Sequence, residues 1–133
     1  MDKKIRKQLD KIGDDFQVRI LEAALEGDAE NFNVLSELGN IYTRTGRHEE
    51  GLEIDRKLTR LRPDNRVVHY NLACSLSLLG EIDGALEELE TSFNLGYREY
   101  NHIISDPDLD NVKKDERFAG LVERYLRSGE ASC

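Results

Sequence analysis

The sequence has few of the features that mark membrane, secreted or metal-binding proteins. Its 133 residues include two cysteines, two prolines and no tryptophan. The cysteines, Cys74 and Cys133, form neither a metal-binding spacing nor a disulfide framework, which favours a reducing cytoplasm. The amino-terminal stretch is charged and contains no apolar run, so we expect no signal peptide and no membrane-spanning helix.

The chain also has no strongly basic segment. Its formal net charge is -8 at pH 7, and acidic residues are distributed along its whole length. A basic face is what binds a nucleic-acid backbone or an anionic membrane. We therefore expect neither nucleic acid nor membrane as a partner.

What the chain does have is an apolar pattern that repeats after thirty-four residues. Leu38 and Gly46 of one stretch coincide with Leu72 and Gly80 of the next. Each unit reads as two amphipathic helices, the first ending at the glycine, and the second helix of the first unit runs from His48 to about Leu61. Small residues stand where the helices must approach closely: Gly39, Gly51, Ala73 and Ala85.

The repeat resembles the tetratricopeptide repeat (TPR), a 34-residue unit with the pattern W-x2-L-G-x2-Y, then A-x3-F, then P. The first unit carries LSELGNIY (Leu35–Tyr42), with Asp55 at the later aromatic position. The second carries HYNLACSL (His69–Leu76). The resemblance implies an all-α fold, a right-handed α-α superhelix of antiparallel helix pairs.

We predict one TPR-like domain over residues 1–133. It comprises a degenerate amino-terminal repeat or cap at 1–31, repeats at 32–65 and 66–99, and carboxy-terminal capping helices at 100–133. Within the first part, Ile5, Leu9 and Ile12 predict a helix that breaks at Gly13, followed by a second helix over Phe16–Asn31.

The stretch SDPDLDNVKKDERF (Ser105–Phe118) admits two interpretations. In a calcium loop, Asp106 and the two alternating aspartates after it, Asp108 and Asp110, would be ligands, but Arg117 stands where the loop needs glutamate. Otherwise, Ser105 or Asp106 caps a helix that begins at Pro107, and Asp115 caps the last helix. The stretch resembles the closing segment of many bacterial TPR arrays, so we interpret the aspartates as caps and expect no metal.

Reactive groups do not converge in the sequence. The three histidines, His48, His69 and His102, lie far apart, and RHEEG is not a zinc-binding H-E-x-x-H motif. Cys74 has no neighbouring base and lies in an apolar stretch, which favours a packing role. We expect no catalysis and no cofactor.

The resemblance also implies a concave groove, lined by the first helix of each repeat, that binds a protein or peptide partner. The expected contact residues are Asn33, Ser36, Asn40, Thr43, Arg44, Tyr70, Asn71 and Cys74. Asparagine can both donate to and accept from an extended peptide backbone.

One TPR subgroup binds the terminal carboxylate of chaperone tails with two asparagines and several basic residues. Asn40 and Asn71 fall at the two asparagine positions. The basic positions hold Ser36, Asn101 and Ser105, so the charged part of that clamp is missing.

The predicted function is that of a non-catalytic adaptor or scaffold that binds a peptide or protein segment in the groove. The alternative is a structural protein that self-associates through its groove or its terminal helices, which leaves a homodimer open. A cytoplasmic location fits either.

Overall fold

The structure, a computed structural model, describes residues 2–127, and every element in that range is helical. The α-helices are α1 (Lys3–Gly27), α2 (Phe32–Arg44), α3 (His48–Leu61), α4 (Arg66–Leu78), α5 (Ile82–Asn94), α6 (Tyr100–Ser105), α7 (Asp110–Lys113) and α8 (Glu116–Val122). A 3-10 segment, Pro107–Leu109, precedes α7, and a π-helical segment, Glu123–Arg127, follows α8. Within residues 2–127 no helix is both long enough and apolar enough to cross a bilayer.

The thirty-four-residue period is visible in the positions at which the helices begin. Both α2 and α4 start after an asparagine, Asn31 and Asn65, whose side chain accepts hydrogen bonds from the first turn. The Val34 N–H donates to Asn31 Oδ1 at 3.1 Å, and the Val67 N–H donates to Asn65 Oδ1 at 2.8 Å. Such caps satisfy backbone donors that lack a partner within the helix. The repeat and its helix pairs are confirmed.

Glycines in a left-handed conformation end these helices, as the sequence predicts. The φ angles are +82° at Gly46, +77° at Gly80 and +103° at Gly96. A side chain with a β-carbon is strained in this region, whereas glycine is not. Each glycine therefore turns the chain back toward the next helix.

The chain divides into two compact units whose boundary, between Ile54 and Asp55, falls inside α3. In the first unit, α1 packs on α2. The core consists of Val18, Leu38, Ile41 and Tyr42, with Leu21, Leu25 and Ile54 packed against it. A β-carbon at Gly51 would lie 3.2 Å from Thr43 Oγ1, which explains the small residue there.

The predicted helix break at Gly13 is wrong, because α1 runs without interruption from Lys3 to Gly27. Apart from its chain neighbours and the backbone of α1 itself, no atom lies within 4 Å of the place a β-carbon on Gly13 would occupy, so the glycine serves no close approach either. An isolated glycine costs a helix only about 1 kcal/mol. Residues on both sides favour helix, so the helix continues through it. The assignment of 1–31 as a repeat or cap stays a prediction.

In the second unit, α4 and α5 pack against each other over an apolar core. Ala73, Ala85, Leu89 and Phe93 have no solvent exposure. Asp55 occupies the position where the repeat pattern has an aromatic residue, and it is buried with the Ser75 hydroxyl donating to its Oδ2 atom at 2.5 Å.

The segment after α5 packs onto α4 through buried apolar and polar contacts. Leu109 and Val112 are fully buried, and the Val112 N–H donates to the Ser77 hydroxyl oxygen at 3.1 Å. Asp106 and Asp115 are the caps predicted from the sequence: Asp106 Oδ1 accepts from the Asp108 N–H at 3.0 Å, and Asp115 accepts similarly. The capping prediction for 100–133 extends beyond the described residues, as does Cys133.

Candidate functional site

The most extensive polar arrangement of the second unit surrounds Tyr70 on α4. Its ring stacks on that of Tyr97, with centroids 4.4 Å apart and planes at 10°. On another side it meets the His102 ring at 5.6 Å. Its hydroxyl donates to Asp106 Oδ2 at 2.7 Å. Tyr70 therefore connects the second repeat to the turn and the helices that follow it.

Asp106 is the polar centre of this arrangement. Besides the Tyr70 hydroxyl, its Oδ2 atom lies 3.7 Å from Cys74 Sγ and 3.4 Å from His102 Nε2. The Lys113 ammonium donates to the Asp106 backbone carbonyl at 2.8 Å. A carboxylate buried to this degree requires such partners, so Asp106 orders the end of the second repeat.

Burial raises the pKa of two groups beside Asp106, the Tyr70 hydroxyl and the Cys74 thiol. Burial, followed by the nearby Cys74 and Asp106, raises the pKa of the Tyr70 hydroxyl above its usual range. Burial and the Asp106 carboxylate raise the pKa of the Cys74 thiol. Because the thiolate is the reactive form of cysteine, Cys74 is a poor nucleophile.

A pocket of about 390 Å³ opens beside this arrangement, entirely within the second unit. Its lining residues are Arg66, Val67, Tyr70, Asn71, Gly96, Tyr97, Arg98, Glu99 and His102. Two guanidinium groups and an imidazole thus accompany a single carboxylate, that of Glu99. One guanidinium is held in place, since Arg98 donates from Nη1 to the carbonyls of Phe93 and Tyr97 at 2.6 and 2.9 Å.

Five of the contact residues predicted from the sequence lie in the first unit, on α2. Asn33, Asn40 and Arg44 are exposed, while Ser36 and Thr43 are half-buried. The Arg44 guanidinium already has a partner: it donates to both carboxylate oxygens of Asp14 on α1, at 3.0 and 3.2 Å. A ligand carboxylate would have to compete with Asp14 for it.

The other three predicted contact residues lie on α4 and differ in exposure. Tyr70 and Cys74 are buried, with 3% and 6% of their surface exposed, and the Tyr70 hydroxyl is already bonded to Asp106. Asn71 is half-buried and lines the pocket.

Sequence reasoning did not single out the three basic groups of the pocket, Arg66, Arg98 and His102. They come from the start of α4, the turn after α5, and α6. The sequence feature that could have indicated this pocket is Gly96, because a glycine turn at that position brings Arg98 back toward α4.

The described residues offer no evident place for a metal. Among residues 2–127, no group of three or more histidine, cysteine, aspartate or glutamate side chains is arranged to hold an ion. Asp106, the first ligand of the calcium loop considered above, uses its Oδ1 atom as a helix cap and its Oδ2 atom as an acceptor for Tyr70.

Two helix pairs offset by thirty-four residues, each with an asparagine cap and a left-handed glycine, define a TPR-like helical repeat fold. A solved structure titled MamA MSR-1 C2 has the same fold. It superposes with a TM-score of 0.60 at 19% identity, and the match covers 87% of this chain and 71% of that one. No protein-family model matches the chain.

Two curated proteins resemble parts of the chain in sequence. A chloroplastic protein of Arabidopsis thaliana is 31% identical over 90 residues, which are 65% of this chain and 27% of that protein. Human Protein O-mannosyl-transferase TMTC1 is 33% identical over 78 residues, which are 59% of this chain and 8% of that protein. The chain therefore spans only a minor part of either relative.

Proposed function

We propose that the protein is a non-catalytic interaction module that binds a negatively charged peptide segment at the pocket beside α4. The observation that carries this proposal is that Arg66, Arg98 and His102 line one pocket together with Asn71, in a chain that is acidic as a whole. Arginine pairs with carboxylates through two parallel hydrogen bonds, and asparagine can bond a peptide backbone. TPR-type folds generally serve protein interaction.

The apolar part of the pocket supports a peptide as the ligand rather than a simple anion. Val67 is 47% exposed at the edge of the pocket, and the Tyr97 ring also lines it. An extended peptide places alternate side chains on one surface, so an acidic and an apolar residue can both be bound.

Catalysis is not part of the proposal. The Cys74 thiol is buried with a raised pKa, and no nucleophile is paired with a base in the pocket. The name of the human relative describes a transferase, but the matched segment is 8% of that protein. A cytoplasmic location is part of the proposal, although the plant relative is named as chloroplastic.

The α2 residues predicted from the sequence form a second candidate contact surface: Asn33, Ser36, Asn40, Thr43 and Arg44. We keep them as a proposal separate from the pocket. They are tested by an Asn40→Ala/Arg44→Ala variant, which changes α2 and leaves the second unit as it is.

The experiment compares binding by wild type and by an Arg66→Ala/Asn71→Ala variant. Partners captured from native lysate are identified, and the bound segment is made as a labelled peptide for anisotropy titration. We expect the affinity of the variant to fall at least about tenfold, and the affinity of wild type to fall with added salt.

The matched control is Arg60→Ala/Asn94→Ala, which removes the same two residue types from exposed positions outside the pocket. It should bind like wild type. Equal affinity in the Arg66→Ala/Asn71→Ala variant, with an unchanged melting temperature, would overturn the assignment of the pocket.

A further inference from the structure

Helix α1 carries an apolar stripe that nothing in the described structure covers. The α1 stripe consists of Ile5, Leu9, Ile12, Phe16 and Ile20, each between 49% and 63% exposed. The spacing of three and four residues places all five on one face of the helix. From Ile5 to Ile20 the stripe is about 22 Å long, at 1.5 Å per residue.

The opposite face of α1 is already used. Val18 is buried, and Leu21 and Leu25 pack with it against the α2 core. On a helical projection these residues lie about 180° from the centre of the α1 stripe, at 100° per residue. The helix is therefore apolar on two sides, and intramolecular packing explains one of them. A contiguous exposed apolar patch on a charged chain marks an interaction surface.

The charges of α1 are divided between its two halves. Lys3–Lys11 contains five basic residues and one acidic residue, whereas Ile12–Gly27 contains four acidic residues and one basic residue. When two copies of α1 lie antiparallel, the half of each with net positive charge runs alongside the half of the other with net negative charge. In a parallel pair, halves with the same net charge run side by side, which costs free energy.

We propose that the α1 stripe packs against the α1 stripe of a second copy of this chain, in antiparallel orientation. A two-fold axis then passes near Ile12, the most exposed of the five residues. Ile5 lies opposite Ile20 of the second copy. Leu9 lies opposite Phe16 in the same way. This surface is distinct from the pocket beside α4, so the inference does not depend on the proposed function.

The charge pattern favours a second copy over a lipid surface. An anionic bilayer would attract Lys3–Lys11 but would repel the exposed Asp15 and Glu26 in the other half of the helix. A second copy complements both halves at once. The partner of the α1 stripe is therefore a second copy of this chain.

The first test is sedimentation equilibrium of the full chain over micromolar to millimolar concentrations. Wild type should dimerise, and Ile12→Lys, which brings two like charges together at the axis, should raise the dimer dissociation constant at least about tenfold. The matched control is Ile104→Lys, since Ile104 is 46% exposed on α6. It should dimerise like wild type.

A wild-type chain that stays monomeric at millimolar concentration overturns the inference, and so does an Ile12→Lys variant that dimerises like wild type. Leu9→Lys, one turn away, provides an independent check should the first variant unfold. Binding of monomeric wild type to phosphatidylserine vesicles, without self-association, would assign the stripe to a membrane instead and would also overturn it.

The orientation is tested by disulfide trapping in a Cys133→Ser background. Chains with Ile5→Cys mixed with chains with Ile20→Cys should form the mixed disulfide on mild oxidation. Ile5→Cys alone should not cross-link, because in the antiparallel dimer the two positions lie about 22 Å apart, well beyond the ~7 Å reach of a disulfide. Efficient cross-linking of Ile5→Cys with itself would show a parallel dimer and refute the proposed arrangement.

Discussion

Replacing Asp55 with asparagine should change how the stability of the protein depends on pH. Asp55 is 5% exposed, and burial raises its pKa from 3.8 to about 6, partly opposed by the hydrogen bond from Ser75. A raised pKa means that the folded state holds the proton more tightly than the unfolded state does. The Asp55 contribution to stability is thus fully present below pH 3.8 and is lost as pH rises toward about 6.

The size of the effect follows from the shift. A shift of about two pKa units corresponds to roughly 3 kcal/mol, at 1.36 kcal/mol per unit. Asp55→Asn keeps the shape and can accept from the Ser75 hydroxyl, but it carries no titrating group. Its unbonded N–H group lowers stability by about 1–3 kcal/mol at every pH. The quantity to compare is therefore the difference between variant and wild type as a function of pH.

The assay is urea unfolding followed by far-ultraviolet circular dichroism at a series of pH values. The free energy of unfolding of Asp55→Asn minus that of wild type should rise by about 3 kcal/mol between pH 3.8 and pH values well above 6. Asp64→Asn, at an exposed position, controls for loss of a carboxylate in general. A difference for Asp55→Asn that is constant across this range would refute the reasoning.

Two further predictions concern the turns and the Tyr70 arrangement. Gly46→Ala should lower the free energy of unfolding by about 1–2 kcal/mol, because φ is +82° there. Gly13→Ala, inside α1, should raise it by about 0.5–1 kcal/mol. A change of the same sign for both variants in urea unfolding would contradict this prediction. Tyr70→Phe removes the hydroxyl that donates to Asp106 and should lower the free energy of unfolding by about 1–3 kcal/mol. Tyr100→Phe, at an exposed position, is the control. Equal stability of the two variants would show that the buried hydrogen bond contributes nothing.

The helices and their period could be predicted from the sequence because the signals that set them are local. Apolar spacing, the glycines Gly46 and Gly80 and the proline Pro107 each act within one or two turns of the chain. A glycine in an apolar pattern led to the wrong prediction at Gly13, where we expected the helix to end. A glycine ends a helix only where the chain takes up a left-handed conformation, and that depends on what the next segment packs against.

The basic groups of the pocket could not be predicted in the same way. Arg66 and Arg98 are thirty-two residues apart, on α4 and in the turn after α5, and His102 lies on α6. Only the fold of the segment after α5 brings them into the lining of one pocket with Asn71. The repeat pattern, by contrast, identified Tyr70 as a contact residue without showing that Asp106 occupies its hydroxyl.

The two apolar faces of α1 illustrate a further limit. Ile5, Leu9 and Ile12 have the same helical spacing as the residues that pack against α2, and the sequence does not distinguish a face that is covered from one that is exposed. Burial is a property of the neighbours as well as of the helix itself. The structure supplies the neighbours.

The hydrogen bond between Ser75 and Asp55 has a consequence for how such an array can change length. One period before Ser75 the chain has Ile41, which offers no donor. Duplication of the first repeat would place the carboxylate of one copy against the isoleucine of the next, leaving a buried acid without its hydrogen bond. Duplication of the second repeat would instead place Leu89, which stands at the position equivalent to Asp55, against the serine of the next copy. A buried hydroxyl then loses its acceptor, which costs less than an unpaired buried acid. Gene duplication that extends this array should therefore favour copies of its second repeat.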